Sequence, residues 1–164
     1  MDTSVLIRPV QRHHEIEACA RMMAASEPWI TLRCDYAASL RALASPGKEI
    51  QLAVSGGELI GFIMLNLKGA FVGYLQSICV APARRGQGVG RRLVAFAEER
   101  VFREYPNLFI CVSSFNVGAQ RFYRNLGYEV GGELKNFLVD GHSEILLRKT
   151  IGSLAEFRKK QETA

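Results

Sequence analysis

The chain has 164 residues, 48% of them apolar, which suits one domain with a core of its own and argues against intrinsic disorder. Its net charge of +5 favours anionic ligands. The basic residues are scattered apart from a glycine-rich segment at 84–92 and the tail Arg158-Lys159-Lys160, without the stripe of a nucleic-acid binder.

Val5-Leu6-Ile7 reads as a first strand, ended by Pro9. Residues 15–25 read as a helix with Ile16, Cys19, Ala20 and Met23 on one face. Ser26-Glu27-Pro28-Trp29 breaks it, and Asp35 caps a second helix through Leu43. Residues 50–54 and 59–67 flank Ser55-Gly56-Gly57-Glu58, a hairpin by its turn chemistry. A strand over 71–80 follows, then the glycine segment. A helix from Val89 to about Tyr105 comes next, with Val89, Leu93, Phe96, Ala97 and Val101 as its buried stripe. Residues 108–112 read as a strand and 116–126 as a helix, with Gly127 where a left-handed cap belongs. Strands at 128–130 and 143–147 complete a set of about seven. Hairpins first and β–α–β crossovers later predict an α/β (α+β) chain: a mixed sheet with helices on both faces. Residues 1–149 are read as one domain and 150–164 as a polar tail, helical around 154–157.

The segment Met1-Asp2-Thr3-Ser4 lacks signal-peptide regions, and the longest apolar run, 59–67, is too short to span a bilayer. Cys19, Cys34, Cys79 and Cys111 are widely spaced without a C-x-x-C pair, which predicts free thiols and a cytoplasmic setting. His13, His14 and His142 lack partners at metal-ligand spacing, so no metal is expected.

The chemistry concentrates in Arg84-Arg85-Gly86-Gln87-Gly88-Val89-Gly90-Arg91-Arg92. Glycines let backbone N–H groups face a ligand, and a helix N-terminus adds unpaired N–H groups and partial positive charge. This makes a cradle for a phosphate-bearing ligand. It is not a P-loop, because no Gly-Lys-Ser/Thr follows, and Arg91 stands where a dinucleotide fingerprint needs its third glycine.

Arg85-Gly86-Gln87-Gly88-Val89-Gly90 resembles the R/Q-x-x-G-x-G/A signature of the GNAT superfamily of acetyl-CoA-dependent N-acetyltransferases. Ile78-Cys79-Val80-Ala81-Pro82 looks like that family's fourth strand. The segment 116–128, with Asn116, Ala119, Tyr123, Gly127 and Tyr128, resembles its N-x-x-A-x-x-x-Y-x-x-x-G-F/Y block. The resemblance implies a mostly antiparallel sheet splayed between strands four and five, with acetyl-CoA as cosubstrate. It also implies that the pantetheine arm pairs with backbone at Ile78 and Val80, around Cys79, as an added strand would. The pyrophosphate would sit on N–H groups of Gly86, Gln87, Gly88, Val89, Gly90 and Arg91. Arg85 would bond the phosphates or close the loop. Asn116 would bind pantetheine, cap its helix, or do both.

The same resemblance makes Tyr123 the acid that protonates the leaving thiolate; the alternative is core packing on its apolar helix face. The ribosomal-protein alanine acetyltransferases carry a strand-five glutamate in a Leu-Glu-Val context, and Ile110-Cys111-Val112 stands in its place here. Glu27, His142, Glu144 or a water relay remain as candidate bases. Cys79 and Cys111 lie in predicted strands with no histidine nearby in sequence, so both read as structural. Direct attack of an amine in a ternary complex is expected, with the oxyanion held by a backbone N–H near Val80.

Acceptor choice in the family lies in segments corresponding to 26–32 and 135–143. Trp29, Ile30 and Leu32 suggest an apolar wall, or Trp29 an anchor for the loop; Glu27 would contact a cationic amine. Glu27, Trp29 and Glu144 are thus the candidate substrate contacts. The expected activity is N-acetylation of a primary amine on a small molecule, an amino acid or a protein N-terminus. A catalytically idle CoA-binding or sensing module is the alternative. Homodimers are common in this family; nucleic acid and membrane are not expected partners.

Overall fold

The computed structural model describes residues 4–163; the signal-peptide reading at Met1, Asp2 and Thr3, and the last tail residue, Ala164, lie outside the described residues. Strands β1 (Leu6–Pro9), β2 (Lys48–Ser55), β3 (Glu58–Asn66), β4 (Tyr74–Val80), β5 (Asn107–Ser113), β6 (Glu129–Lys135) and β7 (Ser143–Thr150) form a seven-stranded sheet in the order β1-β2-β3-β4-β5-β7-β6. The helices are α1 (His13–Ala24), α2 (Tyr36–Leu43), α3 (Val89–Phe102), α4 (Val117–Asn125) and α5 (Leu154–Glu162). The pairs β1–β2, β2–β3, β5–β7 and β6–β7 are antiparallel, while β4 and β5 are parallel through Tyr74 and Phe109. This is the mixed, mostly antiparallel sheet expected. The chain forms two compact units: one holds residues up to Leu67 with Leu75–Ala97, the other Lys68–Tyr74 with residues from Glu98 onward.

In the first unit, β2 and β3 are joined by the Gly56-Gly57 turn. Ile50 and Leu52 of β2 and Phe62 and Met64 of β3 are buried with Cys19, Ala20 and Met23 of α1 and Leu43 of α2. Full burial of each larger side chain contributes about 2 kcal/mol. Asp35 caps α2 as expected, its carboxylate accepting from the Ala38 N–H at 2.8 Å. The first turn of α1 is held by Glu15, whose Oε2 accepts from the N–H groups of Gln11 (2.8 Å) and Arg12 (3.0 Å). Its Oε1 meets the Arg8 guanidinium at 2.6 Å.

In the second unit, β7 runs between β5 and β6 and buries Leu147, while β5 buries Leu108, Ile110 and Val112. Helix α4 ends in paired bonds from Gly127 N–H to Arg124 O (3.0 Å) and Tyr128 N–H to Tyr123 O (3.0 Å), with Gly127 at φ +88°. These satisfy carbonyls that the helix end would leave free.

Several boundaries differ from the sequence reading, three of them instructively. Strand β4 begins at Tyr74, because Gly69 and Gly73 at φ +107° and +86° interrupt the extended run; Phe71 lies outside it, exposed. Strand β6 continues to Lys135 past a register shift at Gly131-Gly132. Its side chains are largely exposed, so no apolar alternation marks it. The tail is helical over Leu154–Glu162, capped by Ser153 and tied by Gln161 Nε2 to Arg103 O at 3.0 Å.

Candidate functional site

Strand β4 passes into a single 3-10 turn, Pro82–Arg84, then the turn 85–88 and helix α3. Gly86 and Gly88 adopt φ +72° and +81°, and no heavy atom lies within 4 Å of where a Cβ would stand on either. A side chain there would cost about 1–2 kcal/mol and fill open space. The first bond closing onto this turn runs from Arg92 N–H to Gly88 O at 3.1 Å. The N–H groups of Val89, Gly90 and Arg91 therefore belong to the first turn of α3, whose donors face out of the helix end. Buried Val89 pins that turn, while Arg85, Gly86, Gln87, Gly88 and Arg91 are exposed. The side chain of Gln87 donates back to Ala83 O at 2.9 Å, leaving the loop surface to the backbone.

The Arg85 side chain turns inward. Its Nε donates to Val80 O at 3.1 Å and its Nη2 reaches Ser26 Oγ at 3.5 Å. In this conformation it closes the loop. Ser26 Oγ also lies 3.7 Å from the Cys79 thiol, which reaches Met22 O at 3.8 Å. Burial pushes the Cys79 thiol up from its ordinary value, the state of an inert structural cysteine. Ile78 and Val80 alternate with Cys79 along β4 and lie on its less buried face.

In the loop after α1, Trp29 is half-buried against the core of the first unit and anchors the segment. Glu27 is exposed, and its Oε2 accepts from the Thr31 N–H at 3.2 Å.

In the second unit, Asn116 caps α4, its Oδ1 accepting from the Ala119 N–H at 3.1 Å. Tyr123 is 2% exposed, its ring edge-on to Phe122 and Tyr128 at 5.0 and 5.3 Å. Its hydroxyl has no hydrogen-bond partner among the described residues. Burial raises its pKa above the ordinary tyrosine value, so the phenol stays protonated and able to donate. A buried hydroxyl left unpaired costs about 1–3 kcal/mol. The glycine turn of the first unit thus offers free backbone donors, and Tyr123 of the second unit offers a buried, unpartnered hydroxyl.

Glu144 lies in β7, within the strand that the sequence places at 143–147, directly opposite Ser113 of β5. Ser113 Oγ donates to Glu144 Oε1 at 2.6 Å. Burial raises the Glu144 pKa from its ordinary value, opposed by the Ser113 hydrogen bond and by His142. His142 packs its ring on Phe115, centroids 4.9 Å apart. Cys111, two residues before Ser113 on β5, interacts with the Tyr74 side chain, and burial pushes its thiol up. Ser113 escaped the sequence reading, because only the β5–β7 register joins it to Glu144.

Comparison with known proteins identifies the family. The model of the Acetyltransferase (GNAT) family matches residues 11–128. The N-alpha-acetyltransferase RimI of Mycobacterium tuberculosis is 32% identical over 146 residues, covering 87% of each chain. An aminoglycoside 6'-N-acetyltransferase solved with coenzyme A shares the fold at TM-score 0.73 and 21% identity, over 90% of this chain and 98% of that one. A Bacillus anthracis structure in complex with acetyl coenzyme A matches at TM-score 0.60 and 26% identity, over 66% of this chain and 65% of that one. The chain belongs to the GNAT family of acetyltransferases, acyltransferases that carry out N-acetylation with acetyl-CoA as cosubstrate.

Proposed function

We propose that the protein acetylates a primary amine by direct attack of the amine on acetyl-CoA in a ternary complex. The observation that carries this reading is the buried, protonated and unpartnered Tyr123 hydroxyl, at the position the family block gives its acid. Acetyl-CoA supplies an activated acyl group and a thiolate leaving group. The backbone N–H groups of Gly86, Gln87, Gly88, Val89, Gly90 and Arg91 bind its diphosphate, and Arg85 holds that loop against β4. Backbone groups at Ile78 and Val80, flanking Cys79, bind the pantetheine arm, with the Asn116 amide as a further contact. An N–H near Val80 stabilises the oxyanion, and Tyr123 gives its proton to the departing sulfur. Glu27 and Trp29 line the approach of the acceptor. Residues 1–149 carry this chemistry and the helical tail is an addition to it. The free thiols suit a cytoplasmic setting.

The Mycobacterium tuberculosis relative is an N-alpha-acetyltransferase, which supports testing peptide α-amino groups first among acceptors. The test is incubation with acetyl-CoA and a panel of peptides, amino acids and small amines, following free thiol. Thiol release that depends on one amine class supports the reading and names the acceptor. CoA binding without release on any amine would show an idle module.

A further inference from the structure

Among the described residues, Glu144 is the one charged side chain that the fold buries, at 3% exposure. Its hydrogen-bond partner is a neutral hydroxyl, that of Ser113, itself 2% exposed. Burying a carboxylate without a paired cation is costly, and a fold gains nothing structural from it that a glutamine would not supply. The other candidates are otherwise engaged. Glu27 is exposed and bonded to its own loop, His142 meets Phe115 edge-on, and the Cys111 thiol is held neutral by burial. Cys111 and Ser113 share one face of β5, and Glu144 and Leu146 lie opposite them on β7. Glu144 therefore stands one register step from the strand-five position that Cys111 leaves without a carboxylate.

We propose that Glu144, held in place by Ser113, is the base that takes the proton from the acceptor's ammonium group. This rests on the acetyl-transfer reading above and adds to it the class of acceptor: an aliphatic amine that arrives protonated. An ammonium also supplies a cation to a buried carboxylate whose hydrogen-bond partner is a neutral hydroxyl. One ammonium proton passes to Glu144 and thence to solvent. The amine lone pair then forms the C–N bond. As the C–S bond breaks, its electrons stay on sulfur, which takes a proton from Tyr123. The second proton lost from nitrogen restores the Tyr123 phenol. The products are amide, free thiol and one released proton.

The groups facing the carboxylate are Ser113 and Cys111 from β5, Tyr74 at the start of β4, and His142 preceding β7. Burial raises the Glu144 pKa toward the working pH, where a base is most effective. Activity should then rise with pH through that value.

The experiment compares wild type with Glu144→Gln, which keeps the shape and still accepts the Ser113 hydrogen bond. It measures kcat/KM against pH for an aliphatic amine and for an alkoxyamine that is already neutral. Expected is a loss of about 100-fold with the aliphatic amine, disappearance of the low-pH limb, and a much smaller loss with the alkoxyamine, at unchanged CoA affinity. Ser113→Ala should move the limb to higher pH, because the lost hydrogen bond stabilised the carboxylate. Equal losses with both amines, or a wild-type profile in Glu144→Gln, would overturn the inference alone. Wild-type protein that binds CoA and acetylates no amine would overturn the acetyl-transfer reading with it.

Discussion

Around Gly86 and Gly88 the chain presents exposed backbone with open space where side chains would stand, the surface proposed for the diphosphate. Across β5 and β7 it does the reverse, burying the side chains of Ser113 and Glu144 where backbone groups are consumed by the ladder. A backbone cradle needs only a local run of conformations, and every CoA molecule presents it with the same diphosphate. A buried carboxylate depends on two strands being in register, and on the mechanism proposed above it answers to the acceptor. On that proposal the two regions divide the work between a part that serves any acetyl-CoA reaction and a part that serves one class of amine.

The sharpest way to break that division is Tyr123→Phe. If Tyr123 is the acid, kcat should fall about 100-fold while CoA affinity stays as it was. The ring packing on Phe122 and Tyr128 is kept, and the hydroxyl removed has no partner to lose. Thermal stability should therefore hold or rise. A fall in stability with normal turnover would return Tyr123 to the core.

The next effect belongs to the cradle. Gly88→Ala at φ +81° introduces strain of about 1–2 kcal/mol, and the loop can relieve it by leaving its binding conformation. CoA affinity should drop about tenfold, since 1.4 kcal/mol is a factor of ten, with kcat at saturating acetyl-CoA nearly intact. Isothermal calorimetry with CoA and steady-state kinetics check the two halves. Unchanged affinity would show that the diphosphate binds elsewhere.

The cradle was readable in sequence because its cause is local: glycine spacing, a strand before it and a helix after it. The cap at Asp35 and the glycine at the end of α4 were readable for the same reason. Strand β6 was cut short because an exposed edge carries no apolar alternation, and Gly131-Gly132 looks like a break when it is a register shift. Ser113 had no signal of its own, since a serine at a strand end is commonplace and its partner lies 31 residues away. Glu144 could be named as a candidate, but its burial is a property of the assembled sheet.

The smallest effects set two carboxylates, one from each unit, against each other. Glu15 is held well below the ordinary carboxylate range, at about 2, chiefly by the Arg8 hydrogen bond and then by the N–H groups it accepts. A depressed folded pKa contributes stability that is complete above the unfolded value of about 4.3 and is lost as pH falls toward 2. Glu15→Gln should thus lower stability at neutral pH by about 1 kcal/mol, because the bonds to Arg8 and the two N–H groups lose their charge assistance, and the gap should close in acid. Glu144 is shifted the other way, by burial. A raised folded pKa favours the folded state below the unfolded value and works against it as pH rises through the folded one. Glu144→Gln should therefore be more stable than wild type at neutral pH, with the difference vanishing below the unfolded pKa. Thermal melts of both variants across pH check the pair. A destabilised Glu144→Gln at neutral pH would make Glu144 another structural carboxylate, whereas stabilisation with lost activity is the signature of a residue kept for chemistry.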